Sequence, residues 1–206
     1  RGNAKQIIFH DEQDFQLYLD LLQHYKKKFD VRIYHFVLMS NHTHLLLEPM
    51  QENTISRFML GIDLTYARYF NQKYHGVGHV WQSRFRSIPI EADEYYLRCA
   101  RYIELNPVRA NIVHHPLDYP WSSYAQLVQP SSTSWTDTHP LLADVQKTNK
   151  EDKNAFQTYV EDAVQNLEQG KHETFARLPA YGSAHFIRRF SELRQRRGKS
   201  EMSLRY

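Results

Sequence analysis

Between residues 11 and 74 the hydrophobic period switches from helix to strand and back, and this order leaves few folds open. Residues 11–29 place Phe15, Leu17, Tyr18, Leu21, Leu22 and Tyr25 on one helical stripe, and Asp11 can cap its start. Arg32–Met39 is β-rich, Ser40-Asn41 is a turn signal, and Thr43–Leu47 makes a second strand closed by Pro49. The two runs are close enough to pair as a hairpin. Thr54–Tyr74 returns to helical spacing with Ile55, Phe58, Met59, Ile62, Tyr66, Tyr69 and Phe70, capped by Asn53 or Thr54 and broken by Gly76 and Gly78. Long amphipathic helices on either side of an antiparallel hairpin call for an α+β domain.

Further along, Val80–Ile90 reads as another strand, and Asp93 can cap a helix from Glu94 to about Leu105 that stops at Asn106-Pro107. Pro116 and Pro120 flank Trp121-Ser122-Ser123-Tyr124. The Ser/Thr/Pro-rich stretch 129–139 reads as a linker, followed by helical segments near 151–168 and 183–197. The layout is an α+β domain over 1–128, a linker over 129–139 and a basic helical extension over 140–206. At 206 residues the chain can bury a core without staples. Its single cysteine, Cys99, excludes a disulfide framework and a cysteine zinc finger, and fits a reducing, cytoplasmic setting. No run approaches the ~20 apolar residues of a membrane span. The sequence opens on Arg1-Gly2-Asn3 without an initiator Met, so a further N-terminal segment is expected.

The net charge of +3 is uneven. Residues 186–206 carry seven basic side chains, Arg188, Arg189, Arg194, Arg196, Arg197, Lys199 and Arg205, against Glu192 and Glu201. A basic tail on a near-neutral body suits contact with phosphate backbones, and equally a solvated terminus. Arg84 and Arg86 in Trp81-Gln82-Ser83-Arg84-Phe85-Arg86 would share one face of a strand, as a phosphate track or a polar outer edge.

Two features carry chemistry. In His42-Thr43-His44 the histidines are two apart, so on a strand they project together, roughly 7 Å apart at Cα, close enough to share one divalent ion. The spacing alone is equally that of two partly exposed strand histidines. On the third helix, Tyr95, Arg98, Tyr102 and Asn106 fall on one stripe. A tyrosine hydroxyl one turn before an amide oxygen is a nucleophile beside a metal ligand, or a packed Tyr beside a helix-ending Asn.

The motifs occur in the order Leu38-Met39-Ser40-Asn41-His42-Thr43-His44-Leu45-Leu46-Leu47, Val80-Trp81-Gln82-Ser83-Arg84-Phe85, Arg101-Tyr102-Ile103-Glu104-Leu105-Asn106-Pro107-Val108-Arg109-Ala110 and Pro120-Trp121-Ser122-Ser123-Tyr124. Together with the opening Arg1-Gly2-Asn3, this order resembles the REP-associated tyrosine transposases, bacterial members of the single-tyrosine HUH transposase superfamily. The resemblance covers residues 1 to about 128, and the helical extension resembles the tail of longer members. It implies a ferredoxin-like antiparallel sheet with helices mainly on one face (the HUH palm), plus a small C-terminal helical extension. It implies an endonuclease and strand transferase that nicks and rejoins single-stranded DNA at REP-type hairpins through a 5′-phosphotyrosine. His42, His44 and Asn106 match its ligands for Mg2+ or Mn2+, and Tyr102 matches its nucleophile. Arg84, Arg86, Arg98, Arg188, Arg189, Arg196 and Arg197 are the candidate DNA contacts.

Two departures stand out: Thr43 replaces a usually hydrophobic residue, and the family's β-strand before Arg-Gly-Asn is not in this sequence. The resemblance further implies a monomer without a membrane partner, a dimer being the alternative. The competing functional reading is a regulator that binds REP DNA and has lost catalysis. A two-histidine phosphodiesterase fits poorly, since it needs two His-x-Ser/Thr motifs and only His172-Glu173-Thr174 matches.

Overall fold

The computed structural model describes residues 1–92, 94–143, 155–167 and 180–192. Helix α1 spans Glu12–Phe29 and starts at a capping box: Asp11 accepts from the Asp14 amide while the Asp14 carboxylate accepts from the Asp11 amide. Asp14 also takes Lys73 Nζ at 2.8 Å and the hydroxyls of Tyr69 and Tyr74, tying the start of α1 to the end of the next long helix. Strands β1 (Val31–Met39) and β2 (His42–Pro49) form an antiparallel hairpin, and α2 follows over Thr54–Tyr74. Then come α3 (Glu94–Glu104), α4 (Asn106–Arg109), α5 (Tyr124–Val128) and α6 (Ala155–Leu167), with a last helical segment over 184–192. Asp93, the expected cap of α3, lies outside the described residues. Among the described residues no helix is long and apolar enough to cross a membrane.

The α+β class stands, but helices cover both faces of the hairpin rather than mainly one. α1 and α2 bury Leu22, Phe58, Ile62 and Tyr66 against Ile33, Phe36 and Leu38 of β1. On the other face α3 and α6 bury Tyr96, Ala100, Ile103, Phe156 and Val160 against Tyr34, Val37, Met39 and Leu46. This is why β1 is an almost continuous apolar run: with both faces covered, alternation disappears.

A bulge interrupts the register between Ile33 and His35. Ile33 pairs with Leu47 and faces the α1/α2 core, whereas His35 pairs with Leu46 on the α3 side. The extra residue turns Tyr34 and His35 to the same face.

Two differences from the sequence reading have physical causes. The run 80–90 is a loop whose strand-like pairing is confined to isolated bridges, Trp81 with Gly2 and Ile90 with Tyr181, while Val80 and Trp81 pack into the α1/α2 core. Pro89 lacks the amide a ladder needs, and the polar Gln82-Ser83-Arg84 stretch has no face to bury. The stretch 129–139 is docked along the outer edge of β1: Ile33 and Asp137 exchange hydrogen bonds of 2.8 Å, and Trp135 stacks on Phe36 at 5.0 Å. Residues 121–123 cover the rest of that edge, with Leu38 N donating to Trp121 O at 2.9 Å and Ser123 N to Phe36 O at 2.9 Å. Both segments protect what would otherwise be an open strand edge. Among the described residues β2 has β1 as its one strand partner, so the histidine strand lies at the margin of a two-stranded sheet.

Tyr66 is buried in the first core and donates to the Ile8 carbonyl at 2.6 Å. Tyr66→Phe leaves that carbonyl without its donor and is expected to cost about 1–3 kcal/mol. A urea unfolding midpoint equal to wild type would contradict it.

Candidate active site

Strand alternation builds the first half of the site. His42, His44 and Leu46 face α3, while Leu45 and Leu47 face α1 and α2. Thr43 also points toward α1, where it hydrogen-bonds the buried Tyr18 hydroxyl, so its departure from a hydrophobic residue leaves the histidine face untouched. The two imidazoles stand 5.0 Å apart, centre to centre, at right angles. His42 Nδ1 lies 2.6 Å from Asn41 Oδ1. An amide oxygen only accepts, so Nδ1 donates and the lone pair sits on Nε2, the arrangement of an oriented metal ligand.

α3 supplies the second half. The Tyr102 ring lies 5.6 Å from that of His44, edge to face. Asn106 follows one turn later and its Nδ2 donates to the Tyr102 carbonyl at 2.8 Å, leaving Oδ1 as the outward acceptor. The structure thus brings His42, His44 and Tyr102 together and sets Asn106 one turn beyond the tyrosine. Among the described residues no three His, Cys, Asp or Glu side chains gather as a metal cluster. An ion at the histidines would need a neutral amide such as Asn106 to complete a three-residue ligand set.

Desolvation by burial pushes His42 down to about 4, with the Arg1 charge adding to it. Burial pushes His44 down to about 3, helped by His42 and Arg109. Both rings are therefore neutral and able to bind a cation at ordinary pH. The unfolded chain takes up protons as pH falls through about 6.5 and the folded site does not, so this pair costs stability progressively below that point. In metal-free protein, the imidazole NMR signals of His42 and His44 are expected to stay unshifted from pH 7.5 to about 5.5. A midpoint near the free-histidine value would show a solvated pair.

The sequence reading missed Arg109. Its guanidinium carbon lies 4.5 Å from the centre of the Tyr102 ring. The signal was present: Arg109 extends the Tyr95, Arg98, Tyr102, Asn106 stripe by three residues, and Pro107 hid it by suggesting a helix stop. The structure restarts the helix at Asn106 with Pro107 in its first turn, where proline costs no hydrogen bond.

It also missed the buried network behind the site. His35, Glu104 and Ser123 are fully buried. His35 Nδ1 lies 2.8 Å from Glu104 Oε1 and its Nε2 3.0 Å from the Tyr96 hydroxyl. Ser123 donates to the same Glu104 oxygen. Glu104 sits between Tyr102 and Asn106 in sequence, so this network anchors the tyrosine helix to β1. His35→Ala removes one partner of a buried pair and is expected to cost about 3–5 kcal/mol. A loss below about 1 kcal/mol in urea titration would show that the network is slack.

The candidate DNA contacts are dispersed. Arg84 and Arg86 are exposed in the 80–90 loop, not aligned on a strand face. Arg98, half-buried on α3, reaches Glu94 at 3.3 Å. Arg188 and Arg189 are exposed on the last helical segment, and Arg196 and Arg197 lie outside the described residues.

A family model described as transposase, IS200-like, matches residues 2–106, which takes in both histidines, Tyr102 and Asn106. Among solved structures, a REP-associated tyrosine transposase bound to a REP hairpin is similar at 20% identity and a TM-score of 0.49, over 61% of this chain and 75% of that one. A comparison with curated proteins finds no match.

Proposed function

Since the chain belongs to the IS200-like transposase family, we propose that it nicks and rejoins single-stranded DNA at REP-type hairpins, with Tyr102 as nucleophile. The observation that supports this most is the meeting of the His44 and Tyr102 rings, 5.6 Å apart, with His42 a further 5.0 Å on. Paired neutral imidazoles, one oriented through Asn41, fit a divalent ion, with Asn106 Oδ1 as the further ligand. Magnesium or manganese held there would polarise an oxygen of the scissile phosphate.

The chain's own residues account for the remaining steps. The Tyr102 oxygen attacks phosphorus in line, forming a P–O bond to the protein. The bond from phosphorus to the 3′-oxygen breaks, and that oxygen leaves as a hydroxyl after taking a proton. The tyrosine proton passes to solvent. One phosphodiester replaces another, so the bond energy is kept for rejoining and no nucleotide cofactor enters. Tyr95 lies on the same stripe but two turns earlier, roughly 10 Å along the axis, and its ring packs edge-on against Tyr181 at 5.0 Å.

Tyr102→Phe removes the nucleophilic oxygen and little else. On a labelled hairpin oligonucleotide with magnesium or manganese, wild type is expected to give a slow-migrating covalent band on a denaturing gel. Tyr102→Phe should lose that band and keep hairpin binding. Persistence of the band in Tyr102→Phe would refute the assignment, and binding without cleavage by wild type would favour a regulator.

A further inference from the structure

α4 continues the tyrosine helix closely enough to carry a third functional position. Leu105 N donates to Arg101 O at 3.0 Å at the end of α3, and i→i−4 bonding resumes beyond Asn106-Pro107-Val108 with Arg109 N to Leu105 O at 2.9 Å and Ala110 N to Asn106 O at 3.0 Å. Tyr102, Asn106 and Arg109 stand at i, i+4 and i+7 and share one side. Arg109 is half-buried, and its side chain folds back onto the Tyr102 ring, 4.5 Å from the ring centre. Its charge also reaches His44. One guanidinium is therefore placed against the tyrosine and within electrostatic range of His44. A cation over an aromatic face restrains the ring, and the planar fork of N–H donors matches a phosphate oxygen pair.

We infer that Arg109 is a further catalytic residue of the transfer, its guanidinium binding a non-bridging oxygen of the scissile phosphate while its plane holds the Tyr102 ring for in-line attack. This rests on the assignment of Tyr102 as nucleophile. As the new P–O bond forms, phosphorus becomes five-coordinate and negative charge grows on its equatorial oxygens. The 3′-oxygen departs opposite and takes up a proton, and no atom changes oxidation state. A fixed cation on an equatorial oxygen binds that arrangement more tightly than the ground state, so it lowers the barrier rather than merely the dissociation constant. Lysine carries the charge but lacks the plane that both stacks and forks.

The test uses the full chain, magnesium and a labelled hairpin oligonucleotide carrying a palindrome that flanks the gene. Single-turnover rates of adduct formation are compared for wild type, R109A and R109K. A second substrate carries a neutral methylphosphonate at the position where wild type cuts. On the ordinary phosphate, R109A is expected to be slower by about 10²-fold or more, with R109K between it and wild type, while hairpin affinity falls far less. On the methylphosphonate the gap between wild type and R109A should largely close, because the charge Arg109 serves is gone. A purely structural arginine would slow both substrates alike, and that result, or an R109A rate equal to wild type, overturns the inference. If R109A melts well below wild type, R109K carries the same comparison. Absence of any Tyr102 adduct with wild type would overturn the proposed function and this role with it. An adduct that is indifferent to Arg109 would overturn this role alone.

Discussion

The buried contact between His35 and Glu104 is the constraint from which the geometry of the site follows. It joins the one polar side chain inside an apolar strand to the one carboxylate inside an apolar helix face, and neither is reached by water. Desolvating two such groups is costly unless they meet, so the contact fixes α3 against β1 within hydrogen-bond tolerance. The bulge makes the meeting possible: it turns His35 toward α3 while Ile33 stays in the opposite core. From β1 the constraint passes through the hairpin register, in which Val37 faces His44 and Met39 faces His42. From Glu104 it passes two residues each way along the chain, to Tyr102 and Asn106. Tyr102, His42 and His44 are thus set by one polar contact that involves none of them.

The electrostatics of the site favour an anion supplied from outside. Two histidines kept neutral by burial and an amide contribute no negative charge, and Arg109 adds a positive one. A divalent ion held there would keep most of its charge uncompensated. A carboxylate-rich site neutralises its own metal, whereas this one would reach balance only when a phosphate enters. Phosphate binding and completion of the metal site would then be a single event.

Elements defined by local periodicity were legible in the sequence. α1, the hairpin, α2 and α3 lie within a residue or so of where spacing and caps put them, because each buries a stripe that its own residues declare. What was illegible depended on distant partners. His35 reads as a polar interruption in Val31–Met39, since Glu104 is 69 positions away and Ser123 comes from a third segment. The apolar spacing of 80–90 resembled a strand, but a strand needs a neighbouring strand, and the run pairs only at single bridges with Gly2 and Tyr181 while Val80 and Trp81 bury in the core instead. Coverage of both faces was declared by β1, whose run from Ile33 to Met39 is buried throughout, although a hairpin with one wet face should alternate. Arg109 was hidden by a correct rule, that proline stops a helix, applied where proline begins one instead.

The two-sided core also explains how so short a sheet protects its register. A slip of one residue in β2 would exchange His42 and His44 with Thr43 and Leu45. The imidazoles would then be forced into the apolar core of α1 and α2 beside Tyr18, displacing the Thr43–Tyr18 hydrogen bond. Leu45 and Leu47 would at the same time leave Phe36 and Ile33, their cross-strand partners in that core. Every side chain of the strand loses by the shift, polar and apolar alike. Register in a lone hairpin is ordinarily weak, but here each face penalises the slip in its own way. The pairing that presents two histidines to Tyr102 is thereby specified by core residues on the opposite face of the hairpin.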